Sequence, residues 1–258
     1  MPKPPAPGPE LEFSELFPKH RKVAVGELLA SLNMGRESPP DRPHTAVNFI
    51  ASVDGRAAFK GRSGQLGELG DRAMFHGLRE HADAVFAGTG TIRTERYGRL
   101  VNDPERRKRR AAIGLSPEPL ACIISRTGDV PTEIPMFAEP ESRIVIFTSI
   151  EPDLSGAAAD VSVVRLDPGE VTLTTMLRRL RADFDVRALL CEGGPTVFGA
   201  LLHERLVDEL FLTISPKLAG GGMDPTTTSG PVLDELAPLK LRWALEREGF
   251  LFLRYALQ

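Results

Sequence analysis

From about residue 44 onward, two hydrophobic patterns alternate along the chain. The segments HTAVNFIAS, ADAVFAG, PLACIIS, SRIVIFTS, DVSVVRL, VRALLC and DELFLTIS are short, nearly continuous apolar runs. Such runs suit strands buried on both faces, as in a parallel sheet. Between them lie stretches of helical period. In Asp71–Ala82 the residues Met74, Phe75, Leu78 and Ala82 share a core face, with Asp71 as a candidate N-cap. Leu173, Met176, Leu177 and Leu180 mark a second amphipathic helix, and TVFGALLHERL a third. TGTIRTERYG opens with residues suited to a helix N-terminus, and a short helix fits near Val25–Leu32. The tail LRWALEREGFLFLRYAL reads as a hairpin turning at Glu248–Gly249. The pattern predicts an α/β fold: a mostly parallel central sheet, helices on both faces and an antiparallel C-terminal hairpin.

The intervening segments are read by their breakers. Residues 1–10 are Pro-rich and read as disordered or extended, and Gly35–Pro43 is a loop. We therefore divide the chain into an N-terminal arm, 1–43, partly disordered, and one domain, 44–258. Gly61–Gly70 holds too many glycines for a regular element and reads as an ordered loop or flap. Residues 100–119 read as a polar, mobile connection. Within it Glu105–Arg110, ERRKRR, is a solvated run, with guidance of an anionic ligand as the alternative.

Composition narrows the function classes. The 258 residues carry a net charge of -3, which gives no reason to expect nucleic acid or an anionic membrane as partner. Cys122 and Cys191 stand alone, without CxxC spacing, so neither a disulfide framework nor a zinc site is indicated. No apolar run approaches the roughly 20 residues of a membrane span, and the N-terminus has no apolar signal region. The expectation is a cytoplasmic protein. His76 and His81 lie five apart on a helix and diverge, so they cannot share a metal. HExxH, GxSxG and GxxxxGK[ST] are all missing, which excludes the corresponding hydrolase and nucleotidase chemistries.

Four glycine-rich or polar turns end strands. Gly88–Arg93, GTGTIR, has two of the three glycines of a dinucleotide fingerprint. It is either a phosphate site or a plain strand-to-helix turn. CEGGPT is more informative: paired glycines permit close backbone approach, Pro195 suits a first helical turn, and the helix N-terminus favours an anion. Glu192 would oppose a phosphate there, so it must face another ligand or a hydrogen-bond donor. SVDG, Ser52–Gly55, reads as an ordinary Asp-Gly turn. ISRTG, Ile124–Gly128, could bind a phosphate monoester through Ser125 and Arg126, or be a solvated turn. In an open α/β sheet all four strand ends line one crevice, which points to a nucleotide cofactor.

The motifs NFIASVDGR, SGQ…LR…ADAVFAGTGTI, ISRTG and LLCEGGPTVFGALLHERLVDELFLTISPKLAGGG, in this order, resemble the RibD C-terminal reductase family, from about His44 to the C-terminus. The resemblance implies a dihydrofolate-reductase-like fold, NADPH as cofactor, and a homodimer. It implies reduction of 5-amino-6-(5-phosphoribosylamino)uracil to a ribitylamine in riboflavin synthesis, without the deaminase domain of the bifunctional members. Carried over by position, it puts cofactor contacts at Ala51, Gln65, Gly88, Thr91, Glu95 and Ser125, and along Gly193, Gly194, Pro195, Thr196, Val197, Phe198, Gly199 and Ala200. Substrate contacts fall at Ser63, Arg79, Leu100 and Glu192. A cis peptide is expected at Gly193–Gly194. We add Arg126 as a ligand of the cofactor 2′-phosphate, Glu192 as a hydrogen-bond partner of pyrimidine N–H groups, and Asp54 as a proton donor or water-orienting group. The chain departs from the family at Asn48, where bacterial members often carry Lys, and at Glu95-Arg96-Tyr97, where they often read Asp-Asp-Pro. A second phosphate-binding Arg is missing near Asn102, although Arg93, Arg96 and Arg99 lie close by. Two other functions stay open on the sequence: a pterin reductase on the same scaffold, and a non-catalytic nucleotide-binding protein.

Overall fold

A computed structural model of the protein describes residues 11–258; the Pro-rich residues 1–10 lie outside the described residues. Eleven strands form one sheet: β1 (Glu12–Phe17), β2 (Arg21–Ala24), β3 (His44–Ser52), β4 (Ala84–Phe86), β5 (Leu120–Ser125), β6 (Arg143–Thr148), β7 (Asp160–Arg165), β8 (Ala188–Cys191), β9 (Glu209–Ser215), β10 (Leu239–Arg247) and β11 (Phe250–Leu257). Their order is β2-β1-β10-β11-β9-β3-β8-β4-β5-β6-β7. Every pairing from β9 across to β7 is parallel. The pairings that join β11, β10, β1 and β2 to that block are antiparallel. The helices are α1 (Val25–Ala30), α2 (Leu69–Glu80), α3 (Thr89–Thr94), α4 (Pro104–Ala112), α5 (Pro135–Ala138), α6 (Leu173–Phe184) and α7 (Pro195–His203).

The continuous apolar runs are explained by two cores. In β5, Ala121 and Ile123 face a cluster that includes Met74, Leu78 and Ile92, while Leu120 and Cys122 face a cluster built on α6 and α7. β6 divides in the same way, with Ile144 and Ile146 on one side and Val145 and Phe147 on the other. Side chains alternate across a strand, so a strand covered on both faces must be apolar at every position. α6 buries Leu173, Met176, Leu177 and Leu180, the four residues its helical period selects. Cys122 and Cys191 are free buried thiols, and burial pushes both pKa values up, which leaves them unreactive. No helix of the described residues is long and apolar enough to cross a membrane.

Three expectations need correction. Part of the segment set apart as an arm, Glu12–Ala24, adds two antiparallel strands to the sheet, with Phe13 fully buried against Phe252. The α2 N-cap is Glu68, whose carboxylate accepts from the Gly70 amide at 2.6 Å, and Asp71 lies inside the helix. The basic run Glu105–Arg110 belongs to α4, capped by Asp103. Its charges are satisfied by neighbours. Arg106 and Arg109 both pair with Glu80, and Arg110 is fully buried. Arg110 donates to the carbonyls of Arg79 and Ala82 at the C-terminus of α2, and to that of Ser116. A cation complements the carbonyl end of a helix. Burial lowers the Arg110 pKa only to about 10, so it keeps its charge at neutral pH. Replacing Arg110 with Ala should lower stability by roughly 2–5 kcal/mol, through the lost cap and the cavity left behind. Urea unfolding checks this, with Arg109→Ala, whose side chain is exposed and whose partner Glu80 keeps Arg106, expected to change stability by less than about 1 kcal/mol.

Candidate active site

The carboxyl ends of β3, β4 and β8 open into a cavity of about 540 Å³. Its wall is assembled from Phe49 and Ile50 of β3, the loop through Ser63 and Gly67, one stripe of α2, the first turns of α3, Tyr97, and the residues that follow β8. Glu192 follows β8 directly and its side chain is 1% exposed. Arg79 of α2 holds it with Nε–Oε1 at 2.6 Å and a second guanidinium bond to Oε2 at 2.7 Å. Tyr97 donates its hydroxyl to the same Oε2 at 2.8 Å, and Arg79 also donates to the Leu100 carbonyl at 2.8 Å. Burial works against the Arg79 charge, but the Glu192 carboxylate outweighs it, and the guanidinium pKa rises. Burial and Glu192 together push the Tyr97 pKa well above its usual value, so the phenol stays a donor. The Arg79 guanidinium also lies over the Phe75 ring, 4.3 Å from its centroid.

The opposite side is built from close backbone contacts. The peptide Gly193–Gly194 is cis, as expected. Gly193 has φ +94°, and a Cβ there would sit 2.8 Å from the Phe49 ring. Gly194 donates its amide to the Thr91 hydroxyl at 3.0 Å, and a Cβ on Gly194 would meet that same oxygen. Gly88 donates to the Gly193 carbonyl at 3.0 Å. The starts of α3 and α7 are therefore tied edge to edge beneath the cavity, which no larger residue at 193 or 194 would permit. Pro195 occupies the first turn of α7, and no side chain caps this helix. Its first free amides are unpaired by any cap, as an anion site requires.

Of the residues the sequence singles out, Ser63, Arg79, Thr91, Glu95, Glu192, Gly194 and Pro195 line this one cavity. Leu100 contributes its carbonyl to Arg79, and Gly88 and Gly193 form its backbone support. Ser63 and Glu95, expected to meet different ligands, are joined: Glu95 accepts from the Ser63 hydroxyl at 3.0 Å and from its amide. Other placements differ from expectation. Phe198 is turned into the core and stacks on Phe49 with centroids 5.3 Å apart. Gly199 lies directly under the Ser229 carbonyl, and the Thr196 hydroxyl meets the Ser229 hydroxyl at 3.1 Å, so the chain itself covers this part of α7. Val197 packs beside Gly88, and Ala200 packs against the α6–α7 core. Ala51 is buried within β3, and Gln65 is exposed with its carbonyl held by Lys217. Ser125 donates to the Asp129 carbonyl, and the exposed Arg126 makes only a long contact, 3.5 Å, with the Val171 carbonyl.

Asp54 is not a proton donor. Its carboxylate accepts from the Ser52 hydroxyl and from the Ala219 and Gly220 amides, and these bonds lower its pKa to about 2. It is ionised throughout the neutral range and anchors the loop after β9. The sequence reading also missed residues. Phe75, assigned to the core, lines the cavity, and so does Asp71, assigned to a cap. Their signal was the spacing Asp71, Phe75, Arg79, one residue per turn on a single stripe.

The sheet order and this cavity define an α/β protein of the dihydrofolate-reductase-like class. Residues 43–247 match the model of the RibD C-terminal domain, and the chain belongs to that family. It is 28% identical over 194 residues to the 2,5-diamino-6-ribosylamino-4(3H)-pyrimidinone 5′-phosphate reductase of Archaeoglobus fulgidus, covering 73% of this chain and 87% of that one. It is 30% identical over 227 residues to the riboflavin biosynthesis protein RibD of Mycobacterium tuberculosis, covering 87% of this chain but 56% of that one. The chain thus spans about half the length of its RibD relatives. Among solved structures, a pyrimidine reductase-like protein from Corynebacterium diphtheriae superposes with a TM-score of 0.74 at 23% identity, covering 92% of this chain and 99% of that one. The riboflavin biosynthesis reductase Rib7 of Saccharomyces cerevisiae superposes with 0.66 at 19% identity, covering 91% and 99%. At these identities the two structures show the fold.

The Glu192 ion pair carries a stability prediction. Glu192→Ala should cost roughly 3–5 kcal/mol, because it leaves the Arg79 cation buried without its carboxylate. Thermal or urea unfolding tests this, and a wild-type midpoint would show that the pair contributes nothing to holding α2 on β8.

Proposed function

We propose that this chain is an NADPH-dependent reductase of a phosphoribosylamino-pyrimidine in riboflavin biosynthesis. One observation carries the reading: residues expected of the substrate side, Ser63, Arg79 and Glu192, and residues expected of the cofactor side, Thr91, Gly194 and Pro195, face a single cavity. The relatives named as reductases of such a pyrimidine support it.

The residues present fit the cofactor. Gly90 lines the cavity with open space where a Cβ would project, and the uncapped N-terminus of α7 offers free amides. Arg126, exposed and without an ion pair among the described residues, would take the 2′-phosphate, joined by Ser125 once its hydroxyl turns from the Asp129 carbonyl. When bound, NADPH supplies the hydride. The protein's part is positioning: Arg79 and Tyr97 fix the Glu192 carboxylate, which keeps acceptor capacity for pyrimidine N–H groups. The missing phosphate-binding Arg also finds an answer. Arg93 is held by Asp129 and Glu133, and Arg99 by Glu118 and Glu141. Arg72 and Arg96 line the cavity, are exposed and form no ion pair among the described residues, so they would receive the substrate phosphate.

A second copy of the chain is the partner this reading carries. Phe250 and Phe252 of β11 are buried in one core, so Leu251 and Leu253 stand on the opposite face, where Leu251 is 37% exposed; Tyr255 and Leu257 on that face pack against the second core. Val232 and Leu236, before β10, are more than 90% exposed. Light scattering should give the mass of two chains, and the mass of one chain at micromolar concentration would refute the dimer. The free thiols fit a reducing, cytoplasmic setting.

The activity is tested by following NADPH absorbance with the phosphoribosylamino-uracil, its 2-amino counterpart and dihydrofolate. Oxidation with either pyrimidine is expected. Turnover with dihydrofolate alone, or none despite tight NADPH binding, would overturn the reading. The Ser125→Ala, Arg126→Ala double variant should lose roughly ten- to hundredfold in its preference for NADPH over NADH. An unchanged ratio would remove both residues from the 2′-phosphate site.

A further inference from the structure

Three carboxyl groups stand in the cavity wall: Asp71, Glu95 and Glu192. Two of them are committed. The Glu192 carboxylate is held by Arg79 and Tyr97, and that of exposed Glu95 accepts from the Ser63 hydroxyl and amide. Asp71 differs. It is half-buried in the first turn of α2, on the same stripe as Phe75 and Arg79, and forms no ion pair among the described residues. The loop before the helix lies against it so closely that a Cβ on Gly67 would be 2.5 Å from Oδ2. The groups facing it are Glu68 and Arg72 from its own helix end, Thr213 from β9, and Lys217 beyond β9. Burial raises the Asp71 pKa most, the Thr213 hydrogen bond pulls it back, and Glu68 adds to the rise. The result is about 6.

We infer that Asp71 is the proton donor of the reduction, giving its carboxyl proton to the substrate nitrogen bonded to the carbon that accepts hydride. The inference rests on the function proposed above. In the open-chain imine form of the ribosylamine, the carbon gains a hydride from the reduced nicotinamide dinucleotide. The electron pair of the C=N bond passes to nitrogen, the N–H bond forms as the Asp71 O–H bond breaks, and water returns a proton to the carboxylate. One hydride and one proton are consumed and one amine is formed. An acid with a pKa near the working pH is suited to this transfer, and such donors contribute roughly 10²–10⁴-fold in rate.

The test compares the wild-type protein with Asp71→Asn. In single turnovers with the phosphoribosylamino-pyrimidine, wild-type reduction should fall as pH rises through the Asp71 titration, because the donor must be protonated. Asp71→Asn should reduce at least about a hundredfold more slowly and lose that limb, while NADPH affinity, read by fluorescence, stays within about threefold of wild type. Carbon NMR of the aspartate-labelled protein should show one carboxyl titrating near pH 6 that is absent from the variant. Wild-type turnover with no acid limb, or an Asp71→Asn variant with the wild-type rate and profile, would overturn the donor role alone. Wild-type protein that reduces neither pyrimidine would overturn the donor role together with the proposed function. Should the variant fail to fold, the wild-type pH profile and the NMR titration still decide.

Discussion

The site depends first on one buried ion pair, Arg79–Glu192. Two charges with side chains 7% and 1% exposed are stable only if each satisfies the other and the remaining hydrogen-bonding sites are filled. Here the bidentate pairing, the Tyr97 hydroxyl and the Leu100 carbonyl meet that demand. The consequence is geometric. The pair joins the last turn of α2 to the end of β8 and draws in the irregular segment from Tyr97 to Leu100, so three separate pieces of chain share one fixed point. Arg110 supports this point from below, because it binds the carbonyl of Arg79 itself. The basic run around α4 thus serves the site through the backbone of α2.

A second constraint acts at the other wall, where backbone replaces side chains. α3 and α7 both start at strand ends, and they can share the floor of the cavity only because Gly88, Gly193 and Gly194 carry no Cβ. The charged wall and the glycine wall meet at consecutive residues, Glu192 and Gly193. That adjacency explains a carboxylate beside an anion-favouring helix start. Its charge is already neutralised by Arg79, so it does not oppose a phosphate at α7.

Much of the fold was legible in the sequence, for physical reasons that also mark where legibility ends. The parallel strands announce themselves because both faces are covered, and α6 because its four core residues keep the helical period. α4 was missed because its mean character is polar. It is held by Glu80 and by buried hydrogen bonds of Arg110, which no hydrophobic pattern reports. β1 and β2 were missed because two short strands at one end of the sheet stand apart from the α/β alternation. In the site, glycine spacing revealed the backbone wall, but Phe75 looked like core because an aromatic that lines a cavity obeys the same period as one that fills a core. Phe198 erred the other way, lying in a ligand-facing motif while its ring packs on Phe49.

The three carboxylates Asp54, Glu192 and Asp71 show how far side-chain identity falls short of chemistry. Each sits close to the same strand ends, and each is an unremarked acid in the sequence. Asp54 accepts two backbone amides and a hydroxyl, so its charge is stabilised by dipoles and its pKa drops. Glu192 is paired with a full cation within a buried pocket, so the pair forms only where α2 and β8 are packed together. At Asp71 burial outweighs the Thr213 hydroxyl and the charges of Arg72 and Lys217, Glu68 adds a like charge, and the proton is held into the neutral range. The difference lies in which partner reaches each carboxylate: an amide from the loop after β9, a guanidinium from α2, or only the hydroxyl of Thr213. Those partners are set by sheet order and by where Gly67 lets the loop settle. The acid–base character of the cavity is therefore a property of the topology, written into residues far from one another in the chain.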